Sequence, residues 1–101
     1  MPSYVLAFRG RSDRTAGAGE EAAWGQWFQE IGGIVVDFGH RVGRVSALGS
    51  SGTDTGAGRD VLTGYVVITA DNLEAAVAVA KGCPGLQHGG GVEVGETVAM
   101  S

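Results

Sequence analysis

The chain has 101 residues, which fits one domain (1–101) and leaves too little length for two independent hydrophobic cores. Hydrophobic residues make up 44% and charged residues 18%, a composition typical of a globular protein rather than a disordered one. The net charge of −4 and the scatter of the seven basic residues argue against nucleic-acid binding, which needs clustered Lys and Arg.

Other protein classes are also disfavoured. No apolar run approaches the roughly 20 residues that span a bilayer, and the N-terminus has no basic segment followed by a long apolar stretch. Cys83 is the only cysteine, so the chain forms no internal disulfide and no cysteine-based zinc site. We expect a cytoplasmic protein that does not associate with a membrane.

The first half of the chain predicts a strand, a helix and a second strand. Residues 3–9 alternate as a β-strand does and carry apolar side chains on both faces. Residues 20–31 predict an amphipathic helix, because large apolar side chains recur at helical spacing. These are Trp24, Trp27, Phe28 and Ile31. Residues 34–38 predict the second strand, which Gly39 ends, and 42–48 either continue it or form one arm of a hairpin.

The second half predicts a strand, a helix and a last strand. Residues 61–69 have the strongest strand pattern, with Leu62 on the same face as Val66. Asp71 is the predicted N-cap of the helix, and Gly82 is its predicted left-handed C-terminal residue. The predicted buried stripe of this helix consists of Leu73, Ala76, Val77 and Ala80. The last strand is predicted from Val92, Val94 and Val98.

The element order β-α-β-β-α-β predicts an α+β fold of ferredoxin-like type, an antiparallel sheet with both helices on one face. The polar, glycine-rich segments 10–19 and 49–60 are loops in this arrangement. The first and third strands lie at the centre of such a sheet, and they carry apolar residues on both faces. Because the helices cover one face only, we expect a second copy of the chain to cover the other.

Four segments of the chain carry a family resemblance, namely 24–33 (WGQWFQEIGG), 36–40 (VDFGH), 62–84 (LTGYVVITADNLEAAVAVAKGCP) and 90–94 (GGVEV). Together they resemble the YCII-related protein family, in an actinobacterial-type branch. The resemblance implies a ferredoxin-like monomer that pairs as a dimeric α/β barrel. Some members carry a histidine–aspartate pair in a cleft, with the histidine on the first helix. Here that helix has tryptophans and no histidine, whereas Asp37 matches the acidic position.

Asp37 and His40 are the candidate catalytic residues. A carboxylate that orients an imidazole is a general acid/base device, and histidine titrates near neutral pH. Residues three apart on a regular strand point to opposite faces, so the pair converges only if Gly39 makes a bulge or a turn. The alternative is that Asp37 bonds turn amides and that His40 is an exposed loop residue.

Tyr65, Trp24 and His88 are the candidate ligand-binding residues. Tyr65 lies on a central strand, Trp24 belongs to the aromatic stripe of the first helix, and His88 precedes the last strand. The alternative assigns the aromatic rings to the core and His88 to a solvated loop. Cys83 is interpreted as a packing residue, because a helix C-terminus disfavours a thiolate.

No cofactor is expected. The two histidines do not show the spacing of metal ligands. The Gly-Ala-Gly sequences at 17–19 and 56–58 lack the third glycine of a dinucleotide-binding motif, and no phosphate-binding loop is present.

Three functions are compatible with these patterns. The first is a dimeric protein that binds a small ligand or serves as an accessory domain. The second is an enzyme that uses Asp37 and His40 for proton transfer on a small cyclic or aromatic compound. The third is a structural interaction module, which would need an exposed apolar patch and no cavity.

Overall fold

The computed structural model describes residues 1–11, 17–49, 52–54 and 60–99. Within these ranges the strands are β1 (Ser3–Arg11), β2 (Val35–Asp37), β3 (Ala47–Gly49), β4 (Gly52–Asp54), β5 (Asp60–Thr69) and β6 (Gly91–Glu96). The α-helices are α1 (Ala18–Ile31) and α2 (Leu73–Ala80), and 3-10 helices cover Gly32–Ile34 and Pro84–His88. Parts of the predicted loops at 10–19 and 49–60 lie outside the described residues, namely 12–16, 50–51 and 55–59. The described parts differ from the prediction, because β1 extends to Arg11, α1 begins at Ala18, and Gly52–Asp54 form the strand β4.

Four strands form one antiparallel sheet in the order β2-β5-β1-β6. The strands β3 and β4 form a separate hairpin within the connection between β2 and β5. Without that hairpin, the elements follow each other as β-α-β-β-α-β, with the first and third of the four sheet strands at the centre. The predicted α+β, ferredoxin-like fold is therefore confirmed. None of the helices in the described ranges is long and apolar enough to cross a membrane.

The core lies between the sheet and the two helices. The central strands contribute side chains that are shielded almost completely from solvent, and Leu6 has no exposed surface at all. Both helices contribute to the same cluster, so both cover the same face of the sheet. Its members include Tyr4, Leu6, Phe8, Trp27, Ile31, Val66, Ile68, Ala76 and Ala80. Burying a side chain such as Leu6 contributes about 1.5–3 kcal/mol.

A β-bulge changes which residues of β5 face the helices. Phe8 pairs with Gly64 and Arg9 pairs with Leu62, so Thr63 is the extra residue on β5. An extra residue reverses the alternation of the side chains beyond it. Val61 is consequently buried on the helix-covered face, and the prediction that Leu62 shares a face with Val66 is wrong.

The ends of α2 differ from the prediction. Asn72, not Asp71, is the N-cap, because its side-chain oxygen accepts a hydrogen bond of 2.8 Å from the Ala75 amide. Leu73 is 46% exposed, so the buried positions of this helix begin at Ala76. Gly82 does not have a positive φ; in the described residues that conformation occurs at Gly39 and Gly89.

Two strand boundaries also differ. The last strand ends at Glu96, which pairs with Tyr4, because β1 has almost no residues left to pair with beyond that point. Val98 therefore lies outside the strand and is 80% exposed. In the predicted segment 42–48, only Ala47 and Leu48 belong to a strand, β3. They do form a hairpin arm, but β3 pairs with β4 inside the predicted connection and not with β5.

Candidate functional site

A cleft of about 910 Å³ lies at the end of the sheet where β1 ends and where β5 and β6 begin. The first three turns of α1 form one wall, and the segment that follows β2 forms another. The residues predicted to bind a ligand, Trp24, Tyr65 and His88, all line this cleft, together with His40. Asp37 is not among the lining residues.

Aromatic rings line the cleft together with the aliphatic side chains of Val42, Val61 and Leu62. Phe8 packs edge-on against Trp24, with the ring centroids 4.8 Å apart. Trp24 in turn lies 5.9 Å from Phe28, and Phe28 lies 6.3 Å from Phe38. Phe38 is 58% exposed, so a large apolar ring stands at the rim of the cleft in contact with solvent. Edge-to-face and tilted ring pairs of this kind are favourable beyond the area that they bury.

A glycine turn carries His88 to the cleft. The 3-10 helix Pro84–His88 ends at Gly89, which has a φ of 81°. The turn closes through a hydrogen bond of 2.9 Å from the Gly90 amide to the Gly85 carbonyl. A Cβ atom on Gly85 would lie 3.0 Å from the Trp24 ring, so glycine lets the turn approach α1 closely. The run of glycines around His88 thus has a structural role.

His88 faces a buried carboxylate on α1. The Nδ1 atom of His88 lies 3.6 Å from one carboxylate oxygen of Glu20. The other oxygen of Glu20 accepts a hydrogen bond of 3.4 Å from the indole N–H of Trp24. The Glu20 side chain is only 8% exposed, whereas that of His88 is 40% exposed. The arrangement therefore places an anchored carboxylate behind an accessible imidazole.

His40 contacts Tyr65 on another wall of the cleft. Its Nδ1 atom lies 3.2 Å from the Tyr65 hydroxyl. Tyr65 pairs with Ala7 in the β1–β5 register, which places it on the face of the sheet opposite to Phe8. The backbone on either side of His40 is fixed to β5, because the Tyr65 amide donates to the His40 carbonyl and the Val42 amide donates to the Thr63 carbonyl.

Asp37 has a different partner from the one that a catalytic pair requires. Its carboxylate accepts a hydrogen bond of 2.8 Å from the Gly39 amide, an arrangement that stabilises the turn after β2. Gly39 has a φ of 67°, so the chain does turn at the predicted position. The hydrogen bonds described for Asp37 and for His40 do not join the two side chains to each other. Their role as a catalytic pair stays a prediction.

Charged side chains surround the mouth of the cleft. Arg41 approaches Glu21 on α1 to 3.7 Å, and Arg9 approaches Glu93 to 3.1 Å. All four side chains are at least 41% exposed, so each pair contributes little to stability. The pair of Arg41 and Glu21 connects the segment after β2 with the first turn of α1.

In the described part of the chain, neither Cys83 nor the acidic side chains form a reactive-thiol or metal site. Burial raises the pKa of the Cys83 thiol, which keeps it protonated and agrees with its interpretation as a packing residue. Within the described ranges, no group of three or more His, Cys, Asp or Glu side chains is arranged to hold a metal ion.

Two features of the cleft are not among the sequence-based predictions. The first is the position of Glu20 between Trp24 and His88. The available signal was its spacing, since residues four apart lie on one helix face and Glu20 precedes Trp24 by four. The second feature is Phe38. No pattern in the sequence indicates that it lies at the cleft, because its position depends on how the turn at Gly39 folds against β5.

Comparison of the chain with models of protein families, and with curated proteins, gave no match.

Proposed function

We propose that this protein binds a small cyclic or aromatic molecule in the cleft and that it does so as a homodimer. The observation that carries this proposal is the cleft itself, whose volume of about 910 Å³ falls within the range of about 300–1,000 Å³ typical of small-molecule sites. A structural interaction module would not need such a cleft, which is why we rank that function last.

The chemistry of the walls supports a ring-shaped ligand. Phe8, Trp24 and Phe28 offer edges and faces against which a flat ring can pack. A few polar groups line the same cleft, namely the His88 imidazole and, on another wall, the Tyr65 hydroxyl and the His40 imidazole. A mainly apolar site with a small number of oriented polar groups is the usual composition of a specific small-molecule site.

The second part of the proposal is that a second copy of the chain covers the open face of the sheet. In the described part of the chain, both helices pack on the other face. The open face presents apolar side chains from the two central strands, among them Val5, Ala7 and Val67. Two sheets of like sequence packed face to face would remove these side chains from water. The resemblance to the YCII-related proteins favours the same assembly.

Ligand binding is tested by fluorescence, because the two tryptophans occupy different environments. Trp24 lines the cleft, whereas Trp27 is buried in the core. In the variant Trp27→Phe, a nitroaromatic probe such as 5-nitrobenzisoxazole is expected to quench the emission of Trp24 in a saturable manner. The matched variant Trp24→Phe reports from Trp27, which does not line the cleft but whose ring lies 5.8 Å from that of Trp24. It should show a smaller quenching that saturates over the same range of probe concentration. Equal, unsaturable quenching in both variants would contradict the proposed site.

The dimer is tested by light scattering. The protomer has a mass of 10.2 kDa, and we expect a particle of about twice that mass at micromolar concentration. The variant Val67→Lys places a charge on the open face and is expected to yield monomers, since burying an unpaired charge is costly. The control Leu73→Lys changes an exposed residue of α2 and should leave the dimer intact. A monodisperse wild-type monomer would refute the assembly.

An enzyme remains the alternative function, with Asp37 and His40 transferring protons. This alternative is favoured by the position of His40 on one wall of the cleft, next to Tyr65.

A cytoplasmic location is also part of the proposal and is supported by the single cysteine, which fits a reducing compartment.

A further inference from the structure

We infer that His88 and Glu20 form a proton-transfer pair in the cleft, with His88 as the base and Glu20 as the residue that positions it. This inference rests on the proposed function, since it requires a ring-shaped ligand to enter the cleft. The substrate class is a cyclic or aromatic compound with an acidic C–H, N–H or O–H proton. The pair is distinct from Asp37 and His40 and uses a different wall of the cleft.

The Trp24 indole, the Glu20 carboxylate and the His88 imidazole follow one another in a line of contacts. The indole N–H of Trp24 holds one oxygen of the Glu20 carboxylate, and the other oxygen faces Nδ1 of His88. A carboxylate on the Nδ1 side favours the tautomer in which Nδ1 carries the proton. The Nε2 atom of His88 is then an acceptor. The distance of 3.6 Å is an ion-pair separation, of the kind that tightens when a ligand excludes water.

Burial assigns the roles within the pair. The Glu20 side chain is 8% exposed and is held by α1, so it is the fixed member. The His88 side chain is 40% exposed, which leaves it accessible to a molecule entering the cleft. Both residues line the cleft together with Trp24 and Phe28, so a ring packed against these aromatic side chains would lie beside the imidazole.

The glycine turn explains why His88 sits where it does. Gly89 adopts the left-handed conformation that ends the 3-10 helix, and a Cβ atom on Gly90 would lie 2.8 Å from the Arg9 carbonyl oxygen. Together with the close approach of Gly85 to Trp24, these glycines hold the turn between α1 and the start of β6. The turn thus carries His88 to the carboxylate of Glu20.

The step is a simple proton transfer. The lone pair on Nε2 of His88 takes the proton from the substrate, and the electrons of the broken bond stay on the substrate. The imidazolium that forms is stabilised by the Glu20 carboxylate. Returning the proton to another atom of the same ring system completes an isomerisation, which needs no oxidant, reductant or second substrate. A substrate whose ring opens on deprotonation would instead release an anion.

The probe 5-nitrobenzisoxazole reports this step. Removal of its ring C–H proton forms a nitrile, breaks the N–O bond and releases a coloured nitrophenolate. His88→Asn is expected to lower kcat/KM by about 100-fold or more, which is the usual contribution of a general base. Glu20→Gln should lower kcat with little change in KM, and Glu20→Asp should recover part of the loss. Gln87→Ala, a neighbouring exposed position outside this cleft, serves as the matched control.

Rescue separates a chemical role from a structural one. Adding imidazole to the variant His88→Ala is expected to restore turnover above the rate with imidazole alone, which it would not do if the substitution had only disturbed the fold. Binding is measured independently, through quenching of Trp24. The probe could bind while turnover is unchanged in His88→Asn or falls only in His40→Asn. Either result would refute the pair of His88 and Glu20 and would leave the cleft as the ligand-binding site. If the probe does not bind, the cleft and the pair both fail.

Discussion

Replacing Gly39 with alanine is expected to lower the free energy of unfolding by about 3 kcal/mol, since both backbone strain and a steric clash oppose the new side chain. Gly39 has a φ of 67°, in the left-handed region that residues with a Cβ atom rarely adopt. The added Cβ atom would lie 2.0 Å from the carbonyl oxygen of Tyr65, which belongs to the central strand β5. Chemical denaturation followed by circular dichroism measures the change.

Gly43→Ala is the matched control for this substitution. Gly43 lies in the same connection, does not have a positive φ and would place its Cβ atom in open space. Its effect on the free energy of unfolding should stay within about 0.5 kcal/mol of zero. Equal stability of the Gly39 and Gly43 variants would mean that the turn after β2 does not press against Tyr65 as described. The contact between His40 and Tyr65 would then lose its support as well.

Leu6→Ala is expected to lower the free energy of unfolding by about 2–5 kcal/mol, because it removes buried apolar atoms and leaves a cavity. Leu6 has no exposed surface and lies on the central strand β1, opposite Val66 and Val94. Its neighbours are fixed by the sheet, which limits how far they can close the gap. The same denaturation experiment measures the loss.

The contrasting substitution is Leu48→Ala. Leu48 lies on the separate hairpin and is 79% exposed, so the same chemical change removes little buried area. Its effect should stay within about 0.5 kcal/mol. A loss at Leu48 as large as the loss at Leu6 would contradict the location of the core between the sheet and the helices.

The architecture could be predicted because its signals are local. Alternating residues in β1 and β5 and the helical spacing of Trp24 and Trp27 depend only on which side chains must leave water. The places where prediction failed depend on contacts between distant segments. The bulge at Thr63 arises from the pairing of β5 with β1, and it alone decides which way Val61 and Leu62 point.

The sequence indicates several residues of the candidate site but not which of them contact each other. The chemistry of Trp24, Tyr65 and His88 predicts that they bind a ligand, and the fold brings them to one cleft although they lie on three different elements. The sequence does not indicate the partner of His88, because Glu20 is 68 positions away in the chain. The closeness of Asp37 and His40 in sequence predicts a pair, whereas the turn between them gives each side chain another partner.

The most direct test of ligand binding in the cleft is an NMR titration of the two indole N–H groups. Added 5-nitrobenzisoxazole is expected to shift the Trp24 signal progressively to saturation, because that N–H donates to Glu20 within the cleft. The Trp27 signal, from a side chain buried in the core, should move little. If both signals stay in place at saturating probe, or if only the Trp27 signal moves, the cleft is not the binding site.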